Sequence, residues 1–200
     1  MMTLGLNIWG KIVKMIKNIK IVFIGRSSSG KTTLLNEFGR RGCKCLHETA
    51  REVLKERKQI LVRGKYENPD LQEHFIRQKL MYEKQLENEK KSSGLVFHDR
   101  SLVDVLAYTN YFGVDDSFID KNLLRGRYDL VFNLEQREFI VDEERIESGA
   151  EEAQRIHDCV LETYKNLGYS LIIVPNFRED RLDNAMQRAW FVKNSICERR

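Results

Sequence analysis

Lys31 and Thr32 close the run Gly25-Arg26-Ser27-Ser28-Ser29-Gly30-Lys31-Thr32, which fits the pattern G-x-x-x-x-G-K-[ST]. Each residue type in that pattern has a physical task. Gly25 and Gly30 permit backbone angles that a side chain resists, so the amides of Arg26, Ser27, Ser28 and Ser29 can turn inward around a phosphate. A helix opening at Lys31 adds the positive end of its dipole at the same point. Lys31 is then placed for the β- and γ-phosphates, and the hydroxyl of Thr32, with Thr33 next to it, for the shell of a magnesium ion. The chemistry this run predicts is the holding of a nucleoside triphosphate, ATP or GTP, with Mg2+.

A second constellation is Leu95-Val-Phe-His-Asp99-Arg100-Ser101, followed by Asp104 and Tyr108. An apolar strand that ends in aspartate brings a carboxylate to the magnesium ion, or sets a base beside an attacking hydroxyl. The plainer alternative for Asp99 is a helix cap. Arg100 can clamp an anion or a sugar hydroxyl, and Asp104 and Tyr108 lie one helical turn apart on one face. A third group, His47-Glu48-Thr49-Ala50-Arg51, ends another short strand; Glu48 can accept a proton from a substrate hydroxyl, or merely cap a helix beside a solvated Arg51. Arg145 first and Arg137 second are the arginines expected on a segment closing over the phosphates, surface ion pairing being the alternative for each. Asn176, after the last strand, is placed by position at the nucleotide base. His74, His98 and His157 show no metal spacing and are read as structural.

These groups need elements to carry them. Short apolar runs at 20–24, 44–47, 95–98, 130–134 and 170–174 alternate with helical patterns at 31–40, 49–59, 70–91, 101–111, 143–167 and 180–192. Such alternation predicts an α/β fold, a parallel sheet covered by helices on both faces, with ligands at the C-terminal ends of the strands. On the long third helix, Leu71, Phe75, Gln78, Tyr82 and Leu86 share the expected inner face.

With 200 residues and 42% hydrophobic content, the chain has material for one core, assigned to 19–195. The net charge of +4 is a mild excess on a mixed surface. The basic run Lys55, Arg57, Lys58, Arg63 and Lys65 has only Tyr66 interleaved, which argues against a nucleic-acid groove. Cys43, Cys45, Cys159 and Cys197 match no zinc framework and are expected to be reduced thiols, in keeping with a cytoplasmic protein. Residues 1–18 mix Leu4, Leu6, Ile8, Trp9, Ile12, Val13 and Ile16 with Lys11, Lys14 and Lys17. They are too short and charged to span a bilayer. Contact with a membrane surface, an extra turn on the domain, and an over-read start ahead of Met15 are the three readings.

Taken together, GRSSSGKTTL, HETARE after the second strand, FHDRSLVDVLAY after the third, VDEERIE, and GYSLIIVP followed by Arg181 resemble the NadR-like AAA-type P-loop family. The resemblance spans nearly the whole chain from Ile19 to Val192. It implies a three-layer nucleoside-kinase-like fold with strand order 2-3-1-4-5, ATP or GTP with magnesium, and in some members phosphorylation of a small ribosyl substrate. Ser28 stands where many relatives have proline, and no length remains for the adenylyltransferase domain that NadR itself carries. The function expected is a Mg-dependent kinase acting on a nucleoside-like hydroxyl, the alternative being a nucleotide-dependent switch or slow NTPase with a protein or membrane partner.

Overall fold

Five parallel strands make one sheet in the order β2-β3-β1-β4-β5, the order the resemblance implies. They are β1 (Ile19–Ile24), β2 (Lys44–Leu46), β3 (Leu95–Asp99), β4 (Leu130–Leu134) and β5 (Leu171–Val174). This computed structural model describes residues 18–60, 71–136, 149–177 and 181–198, and the expectations placed on residues 1–17, Arg137 and Arg145 lie outside them.

β1 is central because its side chains are wanted on both faces. Ile21 and Phe23 pack into one cluster with Leu34, Phe38, Phe97 and Phe132, while Val22 and Ile24 join another with Leu102, Leu106 and Val131. That period of two is what a strand buried on both sides requires. Helices α1 (Lys31–Arg40) and α7 (Arg181–Glu198) cover the first face. On the second lie α2 (Thr49–Ile60), α3 (Leu71–Lys90), α4 (Leu102–Phe112), α5 (Lys121–Leu124) and α6 (Ala150–Asn166).

The register sets the height of the site. Phe23 pairs with Asp99 and Ile24 with Asn133, so Gly25, Arg100 and the residues after β4 emerge at one rim. The Arg100 N–H donates to the Phe23 carbonyl at 3.1 Å, which ties two of these exits together.

Three expectations need correction. The inner face of α3 is rotated: Leu71 is 64% exposed, whereas Arg77, Gln78, Met81, Tyr82, Gln85 and Glu89 are buried. Its buried stripe is mostly polar, which a search for apolar periodicity passes over. Among the described residues the fifth expected helix begins at Ala150, because Gly149 before it is extended; its expected residues 143–148 lie outside them. The last helix runs on to Glu198, since Ile196 continues the buried row of Ala189 and Val192. The four-residue helix Lys121–Leu124 was not expected; the Asp120 side chain caps it and Leu124 is its buried residue.

Candidate active site

The phosphate loop leaves β1 at Gly25 and enters α1 at Lys31. Gly25 has φ +145°, and a Cβ there would stand 2.6 Å from Ser29 Oγ and 2.9 Å from the Leu134 carbonyl. No other residue fits. Gly30 and Ser28 also take positive φ, so three of the loop's six leading residues are left-handed. Lys31 folds back over the loop, its ammonium donating to the carbonyls of Gly25 and Arg26 at 3.0 Å each. Burial first, and the charge of Arg100 second, push Lys31 down to about 8, against the opposing pull of Asp99 and Glu48. The Arg26 side chain does something the sequence did not announce: it donates to the Ala150 carbonyl at 2.9 Å, pinning the loop to the start of α6.

Thr32 and Asp99 meet, the hydroxyl donating to Asp99 Oδ2 at 2.7 Å. Burial and the neighbouring Glu48 charge raise the Asp99 carboxyl, while Lys31 and Thr32 oppose the rise. Its second oxygen, Oδ1, is buried with no hydrogen-bond partner. An orphaned carboxylate oxygen beside a threonine hydroxyl is a donor set that suits magnesium. Among the described residues no three His, Cys, Asp or Glu side chains are arranged to hold a metal ion by themselves, so such an ion would depend on Thr32, Asp99 and phosphate oxygens rather than on a protein cage.

Glu48 and Arg100 form the second half of the site. Arg100 Nε stands 2.7 Å from Glu48 Oε1, and Arg51 Nε stands 3.5 Å from Oε2. Burial would raise the Glu48 carboxyl, but Arg100 and Lys31 hold it below the ordinary carboxylate range. Arg100 itself has φ 67°, a strained conformation for a residue with a side chain. That turn lets the guanidinium reach Glu48, approach Asp104 Oδ1 at 3.4 Å and lie 5.3 Å over the Tyr108 ring. Asp104 is largely spoken for: its Oδ2 accepts from the Ser101 N–H and the Tyr164 hydroxyl, both at 2.8 Å, in a capping box that starts α4.

Beside these groups opens a cleft between α2, α3 and α4. The tip of β3 contributes Asp99 and Arg100, α3 contributes Gln78, Met81 and Gln85, and α4 contributes Asp104, Val105 and Tyr108. Its two glutamines are unlike each other. Gln85 is locked, accepting from the Thr49 hydroxyl at 2.5 Å and donating to Glu89 at 3.1 Å. Gln78 is buried to 2% and its Oε1 has no partner.

The structure therefore brings together Lys31, Thr32, Glu48, Asp99, Arg100, Asp104 and Tyr108. Arg51 is at the edge, and Asn176 is farther along the rim, its N–H donating to the Glu135 carboxylate at 3.0 Å. The site roles of three residues escaped the sequence reading. Gln78 was read only as part of the inner face of its helix, and Gln85, two turns along, was not read at all; both line the cleft. Arg188 belongs to the buried row Ala185, Ala189 and Val192, and its guanidinium reaches the phosphate loop; the available signal was an arginine in register with small apolar residues. His157, read as structural, comes close enough that Lys31, Arg100 and Arg26 join burial in pushing it down to about 4. It is neutral at ordinary pH.

Residues 20–181 match the model of the AAA domain family, and the chain belongs to that family. No curated protein matches the sequence. Among solved structures, the deoxyadenosine kinase of M. mycoides superposes with a TM-score of 0.56 at 15% identity, over 91% of this chain and 100% of that one. The thymidylate kinase of Ehrlichia chaffeensis gives 0.56 at 20% identity, over 89% and 98%. A NadR protein in complex with NR gives 0.56 at 16% identity, over 92% of this chain and 54% of that one. At these identities the likeness is one of fold, that of the P-loop nucleoside and nucleotide kinases.

Proposed function

We propose that the protein is a kinase that transfers the γ-phosphate of ATP, with Mg2+, to a hydroxyl of a small nucleoside-like acceptor held in the cleft. The observation that carries this reading is that Asp99, bonded to Thr32 of the phosphate loop, also lines a cleft together with Glu48 and Arg100, a cleft whose α3 wall offers the unpartnered amide oxygen of Gln78. A hydrolase needs room for water only. A buried carboxamide oxygen without a partner suits a hydrogen-bond donor on an acceptor. The kinase neighbours of the fold support the same reaction class.

The chain's residues divide the work as follows. Gly25 to Thr33 hold the triphosphate, with Lys31 exchanging its loop carbonyls for phosphate oxygens. Thr32 and Asp99 would hold the magnesium ion, which when bound offsets charge on the phosphates. Glu48, ionised beside Arg100, orients the acceptor hydroxyl and takes its proton as the new P–O bond forms. That weak base suffices where bond breaking runs ahead of attack. Arg100 and Arg51 add positive charge at the acceptor side, and Asn176 lies on the rim beyond. Arg145 and Arg137 are proposed to close over the phosphates.

The test incubates purified protein with Mg-ATP, alone and with a pool of nucleosides, nucleoside monophosphates and nicotinamide riboside, and reads products by mass spectrometry. A new phosphorylated acceptor is expected. ADP formed slowly with no phosphorylated acceptor would replace the kinase by the nucleotide-dependent switch.

A further inference from the structure

Arg188 lies on α7, on the far side of the phosphate loop from the cleft, and is 2% exposed. Its guanidinium gathers three carbonyls from three separate parts of the chain. Nη1 donates to Ser29 in the loop, Nη2 to Glu135 after β4 at 2.8 Å, and Nε to Pro175 after β5 at 2.9 Å. A planar fork with donors on all its nitrogens is suited to bridging such groups, and lysine is not.

The Ser29 bond has a geometric consequence. A trans peptide is planar, so its C=O and the following N–H point in opposite directions. With the Ser29 carbonyl held toward α7, the Gly30 N–H must point away from α7. It makes no hydrogen bond among the described residues. Rotation of the Ser29–Gly30 peptide would reverse it, and Gly30, with no side chain and a φ already positive, makes that rotation easy. Arg188 Nη1 would stand 3.3 Å from a Cβ at Gly30, so it packs directly behind the hinge it restrains.

We propose that Arg188 is a positioning residue that fixes the Ser29–Gly30 peptide with its N–H presented to phosphate, and that ties the loop's shape to the exits of β4 and β5. The same helix turn carries Asn184, whose amide donates to the Asn176 side chain and accepts from the Phe177 N–H at 3.3 Å. One face of α7 thus sets both the phosphate end and the far rim of the site. This inference rests on the reading of the loop as a nucleotide site.

The test compares wild type, Arg188→Met and Arg188→Lys, each checked for fold by circular dichroism, in calorimetric titration with Mg-ATP. Alongside, the Gly30 amide resonance is followed as Mg-ADP is added. Expected are a ~30-fold loss of affinity in Arg188→Met, a loss of only ~5-fold in Arg188→Lys, and a Gly30 shift seen in wild type that is absent in Arg188→Met. A folded Arg188→Met that binds within twofold of wild type, with the Gly30 shift intact, overturns the inference. Should Arg188→Met not fold, Arg188→Lys decides, affinity and Gly30 shift unchanged from wild type being the overturning result. Wild type that binds no Mg-ATP overturns the nucleotide reading and this inference with it.

Discussion

β1 runs between two buried clusters of charge, with Lys20 near its start in one and Gly25 beyond its end beside the other. Both oxygens of the Glu89 carboxylate are satisfied. Its carboxylate accepts from the Tyr128 hydroxyl at 2.7 Å, Gln85 at 3.1 Å, Arg127 at 2.8 Å and Lys20 at 3.2 Å. Around Lys31 and Asp99 the demands are not met: Asp99 Oδ1 has no partner, and a buried lysine holds its proton less tightly than a free one. Burial acts on both carboxylates, but only that of Glu89 is saturated by the chain itself; the neutral His98 beside it has no hydrogen-bond partner yet carries no charge to balance. That of Asp99 is completed by something the chain binds, and the distinction between structural and functional charge lies in that unmet capacity rather than in burial or charge count.

The contrast is sharpest in mutation. Lys31→Ala and Asp99→Asn are each expected to lower turnover by about 10³-fold or more, with urea unfolding showing stability unchanged or increased, since each removes a charge that burial disfavours. A variant that lost stability and kept turnover would erase the contrast. Glu89→Leu should behave in the opposite way. It leaves Lys20 and Arg127 facing a buried site without their carboxylate, and about 3–5 kcal/mol of unfolding free energy should go, while activity per folded molecule is kept.

A smaller effect follows from pH. Lys31 titrates near 8 in the fold against 10.5 when free, so between those values the unfolded chain carries the extra proton. Stability of the ligand-free protein should rise as pH climbs from about 8 to 10, by up to about 3 kcal/mol, while Mg-ATP affinity falls as the ammonium is lost. Calorimetry across that range measures both, and Lys31→Met should flatten both slopes.

The loop, the strands and the Thr32–Asp99 pair were legible because each depends on neighbours in sequence or on a motif with fixed spacing. Glu48 and Arg100 were legible as residues at strand exits, though nothing local announced that they pair with each other. The site roles of Gln78, itself placed on the inner face, and of Arg188 were hidden for a different reason. Their roles come from what faces them across the fold, and at their positions a helix pattern shows only a polar residue where an apolar one is expected. Likewise the face of α3 was misjudged by following Leu71, Phe75 and Leu86, when the buried network of Tyr128, Arg127 and Lys20 around Glu89 was what the helix turned toward.

The place of β1 at the centre of the sheet also bears on how the protein is made. Ile19 pairs with Leu95 and Ile21 with Leu130, so the strand bearing the phosphate loop leaves the ribosome long before either neighbour exists. At ~5–20 residues per second it waits on the order of ten seconds as an unpaired apolar segment, IKIVFI, of a kind prone to cross-chain pairing. The loop that follows it is assembled in sequence early and in space late, and a nascent chain stalled before Leu130 would hold the motif without the sheet that gives it shape.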